Sequence, residues 1–126
     1  MSEICVQGCR PLTGEINIQG SKNGVLPMLA ASVLQRETLK FTNVPIIQDV
    51  LCMVGILESV GCCCRWDGHS LSIDASGEIY GEIPRKDVGK MRSSILLMGA
   101  LLGRTGRAVT WQPGGCSIGS RPVDLH

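Results

Sequence analysis

Hydrophobic spacing changes period several times along the first half of this chain, and that alternation restricts it to a mixed α/β unit. Residues 14–20 read GEINIQG, with Ile16 and Ile18 alternating against polar neighbours as in a half-buried strand. Ser21, Lys22 and Asn23 then lead into Val25, Leu26, Leu29, Ala30, Val33 and Leu34. That stripe predicts a helix with Ser21 or Asn23 as N-cap and Pro27 in its first turn. Leu39 and Phe41 alternate within residues 38–42, a second strand ended by Asn43-Val44-Pro45. From Asp49 the apolar positions Val50, Met53, Val54, Ile56, Leu57 and Val60 return to helical spacing, and Gly61 is placed to cap the helix.

Two short strand-like runs, residues 62–66 and 69–73, flank Asp67-Gly68, a strong hairpin signal. The predicted order over 14–73 is therefore βαβαββ, with His69 solvated beside the turn. Val88, Met91, Ile95, Leu96, Met98 and Leu102 predict a third helix over 87–102, with Arg92 near its start. Residues 107–111 read as a further strand. Glycines and prolines allow only a loop over 113–122. Arg36, Glu37, Arg85, Lys86 and Asp87 read as exposed charges. The sequence ends at His126, soon after that loop, as if a second βαβαββ unit had been started and left incomplete.

A hydrophobic content of 44% in 126 residues suffices for one modest core. The formal charge of +1 excludes a global field for nucleic acid or an anionic membrane, so any anion site must be local. The N-terminus, Met1-Ser2-Glu3-Ile4-Cys5, has neither the basic nor the apolar region of a secretory signal. The apolar run over 95–102 is too short to cross a bilayer. Seven cysteines without such a signal point to a reducing compartment, and the cytoplasm is the expected location. Neither Cys62, Cys63 and Cys64 nor Cys5 and Cys9 have zinc spacing, so no metal site is expected; cysteines packed as small hydrophobes are the simpler reading.

Ser21-Lys22-Asn23 stands where a strand gives way to a helix. Free N–H groups, the positive helix end and the Lys22 ammonium could converge there on one anion, phosphate included, although a lysine at a helix start is commonly only solvated. Cys116 lies in the glycine-rich loop, five residues before Arg121. A nearby cation and free N–H groups would activate its thiol; an incidental loop cysteine is the alternative. Arg92 and Arg121 can each fork onto a phosphate, or form a surface ion pair. Asp124 and His126 are weaker ligand candidates.

Several stretches in order carry a resemblance. They are residues 14–16 through Ser21-Lys22-Asn23 with Leu26-Pro27, then Asn43-Val44-Pro45 with Asp49-Val50, and Met91-Arg92-Ser93-Ser94-Ile95. Last come Pro113-Gly114-Gly115-Cys116 and Gly119-Ser120-Arg121-Pro122-Val123-Asp124-Leu125-His126. Together they resemble the enolpyruvyl-UDP-N-acetylglucosamine synthase family, N-terminal portion, over nearly the whole chain. The resemblance implies an inside-out α/β barrel of βαβαββ repeats with helices inside and sheets outside, truncated here within the second unit. Residues 1–20 would hold a strand belonging to the other domain, 21–78 the rest of the first unit, and 79–126 the start of the next with the Cys loop.

It further implies transfer of the enolpyruvyl group of phosphoenolpyruvate to the 3-hydroxyl of UDP-N-acetylglucosamine, with phosphate released, as the committed step of peptidoglycan synthesis. Lys22, Asn23 and Arg121 would contact phosphoenolpyruvate. Arg92, Arg121, Pro122, Val123, Asp124 and Leu125 would hold the UDP-sugar. Cys116 would donate a proton to the phosphoenolpyruvate methylene. No metal or organic cofactor is implied. The partners are these two small molecules and the remaining C-terminal part of a longer parent.

Gln48 departs from a Lys found in some members, and the family's Asp general base would lie beyond His126. The shikimate-pathway enolpyruvyl transferase is the nearest rival, and lacks the PGGC loop. A non-catalytic fragment keeping partial UDP-sugar or phosphate affinity is a second. A redox or metal protein built on the cysteines is a third.

Overall fold

The computed structural model describes residues 2–89 and 91–112. Its packed part begins with α1 (Lys22–Ala31), continued by a 3-10 turn over Ser32–Leu34. Then come β1 (Thr38–Phe41), α2 (Gln48–Ser59), β2 (Cys63–Asp67) and β3 (Ser70–Asp74). A short α3 (Arg85–Val88), a 3-10 turn (Arg92–Ile95) and α4 (Leu96–Thr105) complete it.

The sheet has the order β1-β3-β2, with β3 antiparallel to both neighbours. β1 and β2 therefore run parallel, joined through α2, and the β2–β3 hairpin places its return strand between them: a split βαβ arrangement. Gly68, at φ +55°, makes the hairpin turn. Period-two patterning explains why only one face of this sheet is covered. Leu71 and Ile73 are fully buried and Cys64 and Trp66 partly so, whereas Cys63, Arg65 and Asp67 lie on the other side of the pleat.

Helices fill the covered side. α1 buries Val25, Leu26, Leu29 and Ala30, α2 buries Val50, Met53, Val54, Ile56 and Leu57, and α4 adds Leu97, Ala100 and Leu101. Arg104 closes this layer at one end, its guanidinium donating to the carbonyls of Gln35 (3.2 Å) and Ala75 (2.7 Å).

Several expectations are corrected. Residues 14–20 form no strand: Ile16 and Ile18 are 85% and 81% exposed, and no neighbouring strand meets their backbone among the described residues. The described order is thus αβαββ. Pro27 falls in the interior of α1, not its first turn, on an exposed side where the Asn23 carbonyl, for which Pro27 offers no N–H, can meet water.

The helix expected over 87–102 is broken. Met91 is extended (φ −153°, ψ 146°), and Ser94 turns its hydroxyl onto the Met91 carbonyl at 2.9 Å, the local bonding by which serine competes with helix. α4 then runs on to Thr105, where Gly106 at φ +73° ends it. The strand expected over 107–111 reduces to one parallel bridge between Glu82 and Val109. Asp87 is buried, not exposed. His69 is exposed, as expected, while its carbonyl accepts from Val44 N–H at 2.8 Å at the exit of β1. Gly61 follows α2 at φ +112°, one residue past its cap at Val60.

Candidate substrate-binding site

Ser21 decides where α1 begins. Its backbone is extended, its hydroxyl accepts from Gly24 N–H at 3.2 Å, and its carbonyl accepts from Val25 N–H at 3.0 Å. The N–H groups of Lys22 and Asn23 have no helical acceptor and stand at the positive end of the helix. Both side chains are exposed.

The approach to that end is set by close backbone packing. A Cβ on Gly20 would collide with the Asn43 carbonyl oxygen, so only glycine lets the chain pass so near the end of β1. Asn43 itself turns the chain at φ +54°. An open cleft of about 380 Å³ lies between these segments, lined by Gly20, Ser21, Gly24, Met28, Lys40 and Thr42 among others. Lys40 supplies its positive charge.

Lys22 does not project freely into water. Its Nζ donates to Asp49 Oδ2 at 2.8 Å, with the two side chains 47% and 41% exposed. Asp49 sits in the first turn of α2, where Ile47 offers no side-chain cap and a negative charge is favoured by the helix dipole. Two helix starts, 27 residues apart in sequence, are thereby joined by one ion pair. An ammonium has three donors, so two remain for another ligand.

Asp49 did not stand out in the sequence as a site residue. The available signal was an acid in a first helical turn, which is read as dipole compensation unless the fold brings a cation to it. Gln48, next to it, points along α2 and donates to Cys52 Sγ at 3.4 Å.

Arg92 opens the 3-10 turn that packs against α2, and is half-buried. Of the other expected site residues, Cys116, Arg121, Pro122, Val123, Asp124 and Leu125 lie outside the described residues. The segment leading toward them is anchored by Val109 N–H on the Gly81 carbonyl (2.7 Å) and by the Arg85 guanidinium over the Trp111 ring at 5.2 Å.

Cysteine chemistry divides by burial. Burial pushes the Cys62 thiol up to about 11 and the Cys64 thiol up to about 12, so both are protonated and poor nucleophiles near neutrality. Cys5, Cys9 and Cys63 are exposed. No group of three or more His, Cys, Asp or Glu side chains suited to a metal occurs among the described residues. No described helix is long and apolar enough to cross a membrane.

Comparison with known proteins gives this arrangement a family. The profile described as EPSP synthase (3-phosphoshikimate 1-carboxyvinyltransferase) matches residues 6–126, and the chain belongs to that family. The UDP-N-acetylglucosamine 1-carboxyvinyltransferase of Thermotoga petrophila is 46% identical over 126 residues, all of this chain and 30% of that protein. Its namesake in Nitratidesulfovibrio vulgaris strain DP4 is 44% identical over the same span. The chain thus spans 30% of the length of these relatives. Among solved structures, the enolpyruvyl transferase NikO from Streptomyces tendae superposes with a TM-score of 0.67 at 27% identity, covering 75% of this chain and 22% of that one. The α/β unit described above is therefore an enolpyruvyl transferase fold.

Proposed function

We propose that this chain carries residues for both substrates, phosphoenolpyruvate and UDP-N-acetylglucosamine, of an enolpyruvyl transferase acting on UDP-N-acetylglucosamine. The observation that carries the reading is the 46% identity along the whole chain to relatives bearing that transferase's name. The family profile alone leaves the acceptor open between a shikimate and a UDP-sugar; those relatives favour the sugar.

In this reading the Lys22 ammonium, the start of α1, Asn23 and Arg121 neutralise and orient phosphoenolpyruvate. The Cys116 thiol gives its proton to the methylene carbon, and the sugar 3-hydroxyl oxygen bonds to the adjacent carbon as its own proton passes to a general base in the remainder of the parent protein. Loss of phosphate and one proton restores the double bond as an enolpyruvyl ether. Arg92 and the run Arg121, Pro122, Val123, Asp124 and Leu125 hold the UDP-sugar. The reaction serves peptidoglycan synthesis in the cytoplasm. Residues 1–20 supply a strand to the other domain, 21–78 the remainder of the first unit, and 79–126 the beginning of the next. Catalysis needs groups from both domains around the reacting carbon, so the 126-residue chain alone is inactive.

The test is peptide mapping after treatment with fosfomycin, an epoxide that resembles phosphoenolpyruvate and opens on an activated thiolate. The protein to use is this chain substituted for the matching segment of the Thermotoga maritima relative, to which it is 45% identical. One adduct on Cys116, formed faster with UDP-N-acetylglucosamine and slower in Lys22→Gln, is expected. Adducts spread over several cysteines, or unchanged labelling in Cys116→Ala, would remove Cys116 from the mechanism.

A further inference from the structure

The ion pair between the two helix starts has an unusual placement for a surface contact. Lys22 is the first residue of α1 and Asp49 the second of α2, and their 2.8 Å contact spans 27 residues of chain. A long lysine side chain samples many rotamers in water, and that freedom is lost when it grips a ligand. Asp49 removes part of it beforehand. One N–H of the ammonium is committed to Oδ2, and the other two point away from the carboxylate. The carboxylate in turn is held by the N-terminal dipole of α2, so its own position is fixed by an element rooted in the core through Val50 and Met53.

We infer that Asp49 is a positioning residue for Lys22: it holds the ammonium at the mouth of α1 with two donors aimed at an incoming phosphate or carboxylate. The inference rests on the proposed role of Lys22 toward phosphoenolpyruvate. It opposes the simplest electrostatic expectation. A second negative charge beside an anion site should repel the ligand, so neutralising Asp49 should tighten binding. Positioning predicts the reverse.

The difference is measurable on the 126-residue chain itself. Phosphoenolpyruvate is titrated into isotope-labelled protein while the amide signals of Ser21, Lys22, Asn23 and Gly24 are followed by NMR. Asp49→Asn, which keeps the shape but not the charge, is expected to weaken binding by about 3- to 5-fold, the range of a well-placed exposed pair. Asp49→Glu should recover most of the loss. In a Lys22→Gln background, Asp49→Asn should change nothing further, which a merely structural role for Asp49 would not produce. Equal or tighter binding by Asp49→Asn, or the same weakening without Lys22, would overturn the inference while leaving the Lys22 reading intact. Failure of the unmodified chain to bind phosphoenolpyruvate at these amides would overturn both.

Discussion

Two stretches of this protein carry the same alternation and meet opposite fates. In β3, Leu71 and Ile73 alternate with serines and are fully buried, because the strand is paired on both edges and helices cover one face. In residues 14–20, Ile16 and Ile18 alternate with polar residues just as regularly, yet they stand in solvent with no ladder among the described residues. A period of two shows which side of a strand is meant to be covered. It does not say where the covering partner is. The relatives are more than three times as long as this chain.

The contrast can be broken most directly by truncating the two isoleucine patterns. Ile73→Ala should destabilise the chain by about 2–4 kcal/mol, whereas Ile16→Ala should change stability by no more than about 0.5 kcal/mol. Urea midpoints measure both; comparable losses would mean that residues 14–20 are packed after all.

Gly61 sharpens the comparison from the side of the packed unit. It sits at φ +112°, and a Cβ there would also run into the Glu78 carbonyl. Gly61→Ala should therefore cost about 1–3 kcal/mol. A near-neutral effect would show that the α2–β2 junction can rearrange. Loss of the α1 cap is a smaller perturbation. Ser21→Ala should lower stability by about 1 kcal/mol, with helix signal lost first over α1.

The pH response has a definite sign. Cys62 and Cys64 have folded values of about 11 and about 12, raised from 9.0 chiefly by burial. Their contribution is complete below pH 9, where both states hold the proton. It declines as pH rises toward those folded values, because the unfolded chain releases the proton first. Stability should thus fall between pH 9 and about 12, and Cys64→Ser should flatten that fall. A slope unaffected by this substitution would contradict the assignment.

Much of the fold was legible because its signals are local. Ser21 as cap, the Asp67-Gly68 turn and the stripe of α2 each follow from chemistry within a few residues. The misread elements are those whose state depends on distant partners. Residues 14–20 lack a neighbour, 107–111 make one bridge, and the helix expected over 87–102 yields to Gly89 and to Ser94 bonding Met91. In the site, Lys22 and its helix start were readable for the same local reason. Asp49 was not, since only the packing of α1 on α2 brings its carboxylate to Lys22.

Phosphate release tests the account most directly. The substrates are phosphoenolpyruvate and UDP-N-acetylglucosamine, and the two proteins compared are this chain alone and this chain in place of the matching segment of the Thermotoga maritima relative. The expected result is turnover by the joined protein, abolished by Cys116→Ala and strongly reduced by Lys22→Gln, with none from the chain alone. A joined protein that folds, binds UDP-N-acetylglucosamine and still releases no phosphate would contradict the proposed function. Turnover by the 126-residue chain alone would contradict the claim that the site needs both domains.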